Sequence, residues 1–249
     1  MRLTRIKYGI FAICLTAFAA VACGGNDDEP DVPEADEVKF VAQTWQSGDV
    51  KIGLQQAVVN ASATGKTALV LYMHGGSSKG DDNLAPMREA GVGVICDYLK
   101  RNGIKAVFVV PQCPKDMSWG GTMNQVLKEL IDHYIASGQA DAGMTYAFGG
   151  SMGGTGLWSL LSAYPGLIKA AMPVAGNPAR CVPENVAKTK VYAVMGTDDA
   201  IMNEQTVIDF VEQIIAAGGA AKVDVEQGWT HETTCTQSYT DTRLGWVFG

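Results

Sequence analysis

Apolar residues fall along this chain in two alternating rhythms. Short strand-like runs occur at 68–73, 106–110, 144–148, 170–174, 191–195 and 223–226. The run at 68–73, Ala-Leu-Val-Leu-Tyr-Met, is unbroken, as in a parallel strand covered on both faces. Between these runs lie longer stretches with helical spacing, at 87–102, 126–136, 152–163 and 206–217, and a last one at 238–247 closes the chain. Gly103, Pro111, Pro165 and Gly218-Gly219 mark the stops. Residues 38–61 add two strand-like pieces about a turn at Ser47-Gly48-Asp49. Strands alternating with helices predict an α/β architecture: a mainly parallel, doubly wound sheet with helices on both faces. No insertion is long enough for a large lid domain.

The first 37 residues break the rhythm. Arg2, Arg5 and Lys7 form a basic start, residues 10–21 are apolar, and Ala20-Val21-Ala22 supplies small residues before Cys23. The apolar run is short for a membrane span, so residues 1–22 read as a signal peptide. Ala20-Val21-Ala22-Cys23 also resembles a bacterial lipobox, which makes Cys23 the acylated N-terminus of the mature chain. Alanine at its first position departs from the usual leucine, and an ordinary secreted protein cut nearby is the alternative. Residues 23–37 are acidic, carry two prolines and have almost no large apolar residue, so they predict an extended, solvated tether. Residues 38–249 are then the folded domain, attached to a membrane only through the lipid and exported to the outer membrane, cell surface or periplasm.

Composition narrows the partners. The formal charge is −7 over 249 residues; without the three basic residues of the leader, 16 basic side chains face 26 acidic ones. That balance argues against nucleic acid or an anionic membrane surface as an electrostatic partner.

Candidate chemistry centres on Gly149-Gly150-Ser151-Met152-Gly153, at the junction of a predicted strand and a predicted helix. In a G-x-S-x-G turn the glycines relieve crowding, the serine hydroxyl projects outward, and the following N–H points from a helix start where negative charge is favoured. With 29 glycines in the chain the pattern also arises by chance, so its partners decide. Loops beyond the carboxyl ends of parallel strands collect reactive residues. After the strand at 191–195 comes Gly196-Thr197-Asp198-Asp199, and after that at 223–226 comes Gly228-Trp229-Thr230-His231. Serine, aspartate and histidine therefore follow the chain order of α/β-hydrolases, with Ser151 as nucleophile and His231 as base. Of the other two histidines, His133 lies inside a helix, and His74 reads as a structural, hydrogen-bonded residue at a strand end. The strand at 68–73 leads into His74-Gly75-Gly76, where a second oxyanion donor is expected. The N–H groups of Met152 and of Gly76 or its neighbour are the candidates. No His/Cys cluster has ligand spacing, so neither a metal nor a cofactor is expected.

Several of these segments resemble a family. His74-Gly75-Gly76 with Gly80-Asp81-Asp82-Asn83, Val110-Pro111-Gln112-Cys113-Pro114 with Trp119, Gly150-Ser151-Met152-Gly153-Gly154 with Trp158, Ala175-Gly176, Gly196-Thr197-Asp198-Asp199 and Gly228-Trp229-Thr230-His231 are similar to motifs of a predicted peptidase/esterase group. That group lies near the polyhydroxybutyrate depolymerases and the feruloyl and acetylxylan esterases. The resemblance runs from about residue 69 to the C-terminus and implies an α/β-hydrolase fold with a Ser-His-Asp triad. It implies Asp199 as the acid, with Asp198 the second choice. Met195 stands where the family usually has a histidine. Gln112, Trp119 and Trp229 are candidate substrate-binding residues; for the two tryptophans, ordinary packing at the sheet edge is an equal alternative.

Cys96, Cys113, Cys181 and Cys235 remain beyond the leader and Cys23, and a Cys181–Cys235 disulfide would brace the His231 loop. The leading expectation is a serine esterase acting on acyl esters of carbohydrate, acetyl or feruloyl. A serine peptidase of the same fold and a non-catalytic carbohydrate-binding lipoprotein are the alternatives.

Overall fold

A computed structural model describes residues 38–249; the expected signal peptide, Cys23 lipidation site and acidic tether lie outside the described residues. Eight strands form one sheet: β1 (Val41–Ser47), β2 (Val50–Val59), β3 (Ala68–Met73), β4 (Ala106–Pro111), β5 (Thr145–Gly150), β6 (Ala170–Val174), β7 (Lys190–Gly196) and β8 (Ala221–Glu226). Their spatial order is β1-β2-β4-β3-β5-β6-β7-β8. The pairs β1–β2 and β2–β4 are antiparallel and all the others are parallel. The chain winds outward from β3 in both directions, and the register Met73↔Gly149 sets the end of β3 beside the end of β5. The loops that leave these two strands must therefore share one rim.

The helices are α1 (Ala90–Arg101), α2 (Thr122–Ala136), α3 (Met152–Ala163), the short α4 (Pro183–Val186), α5 (Glu204–Ala216), α6 (His231–Gln237) and α7 (Asp241–Phe248). They divide between the two faces. Leu69, Leu71 and Met73 of β3 pack into a core with side chains of α2, α3 and α5. The alternate residues Ala68, Val70 and Tyr72 join the opposite core with α1 and α7. All six residues of β3 are buried, as its unbroken apolar run requires.

Several elements differ from expectation. The helix expected at 87–102 begins only at Ala90, because Pro86 sits in a separate 3₁₀ turn, Ala85–Arg88. The closing helix expected at 238–247 is α7, which starts after Thr240, whose hydroxyl accepts from the Arg243 N–H. Before it stands α6, which the apolar pattern missed because His-Glu-Thr-Thr-Cys-Thr-Gln has no apolar stripe. Thr230 caps α6, and the hydroxyls of Thr234, Thr236 and Ser238 bond back to carbonyls one turn earlier.

Candidate active site

The serine turn is built by close backbone approach. Ser151 takes φ 57° and ψ −117°, a region that side-chain-bearing residues rarely occupy at a cost of about 1–3 kcal/mol. Its N–H donates to the Val174 carbonyl at 2.9 Å, and its own carbonyl accepts from the Thr155 N–H at 2.9 Å. The two glycines at the start of the following helix are obligatory. A Cβ on Gly153 would lie 1.8 Å from the Met73 carbonyl oxygen, and one on Gly154 would lie 2.4 Å from that of Val174. The start of α3 thus rests directly on the ends of β3 and β6, and the Ser151 side chain is turned out over the rim.

The loops after β7 and β8 are stitched together. Thr197 N–H donates to the Glu226 carbonyl, Asp198 N–H to that of Trp229, and Gly228 N–H to the Thr197 hydroxyl. A Cβ on Gly196 would sit 2.2 Å from the Trp229 carbonyl oxygen, so this seam also needs glycine. The seam sets Asp199 against His231, the first residue of α6. His231 Nδ1 lies 2.8 Å from Asp199 Oδ2, and His231 Nε2 lies 2.7 Å from Ser151 Oγ. The second Asp199 oxygen accepts from the Ile201 and Met202 N–H groups, each at 2.9 Å. The Asp199 side chain is 0% exposed and that of His231 is 18% exposed. With Nδ1–H donated to the carboxylate, Nε2 is free to accept the serine proton. Asp198 instead points outward, its carboxylate accepting from the neighbouring Thr197 hydroxyl.

A cavity of about 580 Å³ opens in front of Ser151, with Tyr72, Ala90, Ile201 and Cys235 on its walls beside the polar Arg88, Glu89 and Glu232. Gly76 lines it too, as the exposed first residue of the 3₁₀ turn Gly76–Ser78. Met152, as the first residue of α3, has an N–H with no acceptor within the helix. Both N–H groups belong to this rim, where a developing negative charge would need them.

Behind this loop His74 is fully buried. Its Nδ1 donates to the Gly75 carbonyl at 2.7 Å, and its Nε2 accepts from the Cys113 N–H at 2.9 Å. Burial lowers its pKa from 6.5 to about 4, so it stays neutral in this bonded tautomer. That is the structural role expected of it. Trp119 is buried against it, donating Nε1–H to the His74 carbonyl at 2.9 Å.

The three side chains expected to bind substrate stand elsewhere. Trp119 and Gln112 are enclosed, and neither lines the Ser151 cavity. Gln112 braces the 78–83 loop through the Ser78 carbonyl, the Asp82 carboxylate and the Asn83 N–H. Trp229 borders a separate depression with Tyr192 and Asp224, its ring under the Arg243 guanidinium at 5.8 Å. Position on a strand-terminal loop does not reveal which way a side chain turns. The Cys181–Cys235 disulfide is also absent, and both are free thiols. Cys181 packs against the core on one face of the sheet and Cys235 against the core on the other, so the sheet separates them. Cys235 lies in the cavity wall next to Gly150, and burial pushes its thiol up to about 12. Tyr72, Arg88, Glu89, Ile201 and Glu232 are among the wall residues that the sequence did not single out; none carries a motif of its own.

No protein-family model and no curated protein matches the chain. Solved structures do. The chain is similar to a thermostable esterase with TM-score 0.75 and 21% identity, covering 84% of this chain and 62% of that one. It therefore spans about 62% of that esterase's length. A mutant of the feruloyl esterase module from Clostridium thermocellum complexed with sinapinate matches with TM-score 0.67 and 15% identity, over 85% of this chain and 88% of that one. Est1E from Butyrivibrio proteoclasticus matches with TM-score 0.62 and 13% identity, over 84% and 99%. Together with the strand order and the winding about β3, these likenesses show that residues 38–249 have the α/β-hydrolase fold.

Proposed function

We propose that the protein is a serine esterase that hydrolyses carboxylic esters through an acyl-enzyme on Ser151. The observation that carries this reading is the relay Asp199–His231–Ser151, with both imidazole nitrogens engaged at 2.8 and 2.7 Å. His231 Nε2 takes the hydroxyl proton as Ser151 Oγ attacks the ester carbonyl. The N–H groups of Met152 and Gly76 receive the oxyanion, and Asp199 holds the imidazolium that forms. His231 then delivers the proton to the departing alcohol oxygen. In the second half His231 takes a proton from water, whose oxygen attacks the acyl carbonyl; Ser151 leaves with that proton and the acid is released.

The substrate class we infer is an acetyl or feruloyl ester of carbohydrate. The cavity supports it by size and by its mixed wall, since about 300–1,000 Å³ is usual for a small-molecule site. The likeness to the feruloyl esterase module complexed with sinapinate points the same way. The protein would act outside the cytoplasm, exported by its leader and held to a membrane by lipid on Cys23. The test is hydrolysis of p-nitrophenyl acetate followed by a panel of acetylated and feruloylated sugars and peptides. Ser151→Ala is expected to lose turnover of the aryl ester by at least about a thousandfold. Equal turnover by that variant, or cleavage confined to peptides, would reject the reading.

A further inference from the structure

Resting on the serine-esterase reading, we propose that Glu89 is a positioning residue of the oxyanion hole, its carboxylate clamping the 75–78 loop so that the Gly76 N–H faces the cavity. The loop needs an external hold, because Gly75 and Gly76 have no side chains to anchor them and Gly76 is exposed. Glu89 supplies it from the residue just before α1. That is a capping position, yet its side chain caps nothing there. Instead Oε1 accepts from the Gly75 N–H at 2.8 Å and from the Ser78 hydroxyl at 2.7 Å, while Oε2 accepts from the Tyr72 hydroxyl at 3.0 Å. The two loop bonds bracket Gly76 in the chain, and Tyr72 ties the same carboxylate to β3.

The Gly75–Gly76 peptide is held at its other end as well. Its carbonyl accepts from His74 Nδ1 at 2.7 Å and from the Ser78 N–H at 3.2 Å. In a trans peptide the N–H points opposite to the carbonyl, so these bonds aim the Gly76 N–H away from His74. Glu89 fixes the preceding N–H and keeps the unit from rotating. A carboxylate half-buried in a cavity wall is expensive to keep. Within 4 Å of Glu89 no cationic side chain offsets it among the described residues. Its compensation is three hydrogen bonds, and those to an ionised acceptor are the strong ones. The clamp also sits close to the chemistry: a Cβ built on Gly75 would lie 3.5 Å from Glu89 Oε1 and 3.7 Å from Ser151 Cβ.

The experiment compares kcat and KM for p-nitrophenyl acetate in wild type, Glu89→Ala, Glu89→Gln and Ser78→Ala, with melting curves for each. Losing a whole oxyanion donor costs about 10²–10³ in kcat, so a donor left in place but loosened predicts a fall of roughly ten- to a hundredfold in Glu89→Ala with KM changed by less than about threefold. Glu89→Gln, whose amide oxygen can still accept from Gly75 and Ser78, is expected to recover most of kcat. Ser78→Ala, which removes one anchor and little volume, is expected to lose several-fold in kcat at unchanged KM, and it decides the matter if Glu89→Ala does not fold. Unchanged kcat in Glu89→Ala or, where that variant is unfolded, in Ser78→Ala, overturns the clamp while leaving the esterase reading intact. A rise in KM at constant kcat makes Glu89 a substrate contact and overturns it too. A wild-type protein that hydrolyses no ester overturns the esterase reading itself, and the clamp with it.

Discussion

Asp198 and Asp199 are neighbours on one loop, yet only one carboxylate faces the imidazole. Asp199 is enclosed and receives two backbone N–H groups besides His231, whereas Asp198 is exposed and bonded only to Thr197 through its side chain. The Ile201 and Met202 amides hold the Asp199 carboxylate facing the imidazole. Replacing Asp199 with Asn should lower kcat by about 10³–10⁴-fold through the wrong imidazole tautomer, while Asp198→Asn should stay within about twofold. Steady-state kinetics of the two variants checks this, and equal losses would contradict it. At this scale the sequence was informative about which loop bears the acid and base, because strand ends are visible as the ends of apolar runs. It was uninformative about Trp119, Gln112 and Trp229, whose orientation depends on partners distant in the chain: the His74 carbonyl for the first, the 78–83 loop for the second and Arg243 for the third.

Among elements, the serine elbow is the most constrained. Its helix start touches the ends of β3 and β6 so closely that no side chain fits at Gly153 or Gly154. Gly153→Ala should therefore destabilise the fold by roughly 3–5 kcal/mol or prevent folding, because backbone and not a flexible side chain must move. Urea denaturation of that variant is the measurement; a midpoint equal to wild type would show that the elbow relaxes freely. This element was legible from the glycine spacing, since closeness of backbones leaves its mark in the residues that permit it. The helix bearing His231 was not legible. Its Thr-rich run is held by hydroxyl caps and back-bonds, which leave no apolar period to detect.

For the molecule as a whole, one sheet separates two cores and brings the loops after β3, β5, β7 and β8 to a common rim. The alternation of runs predicted this architecture, since each buried strand must feed both faces. Burial of His74 beneath that rim couples stability to acid. Its folded pKa, about 4, lies below the ordinary 6.5, so the unfolded chain binds the extra proton between those values. The stabilisation is complete above pH 6.5 and declines as pH falls toward 4, by about 3 kcal/mol in all. Denaturation midpoints at pH 7 and pH 4.5 should show the decline, and His74→Asn should lessen it; an identical decline in that variant would assign the effect to other groups. The central claim is that one rim activates one hydroxyl, and its most direct test is labelling by a fluorophosphonate probe followed by mass spectrometry of the peptides. The prediction is a single stoichiometric adduct on Ser151 that appears as ester turnover disappears and fails to form in His231→Ala. Full turnover with Ser151 unlabelled, or an adduct on another residue that accounts for the loss, would contradict it.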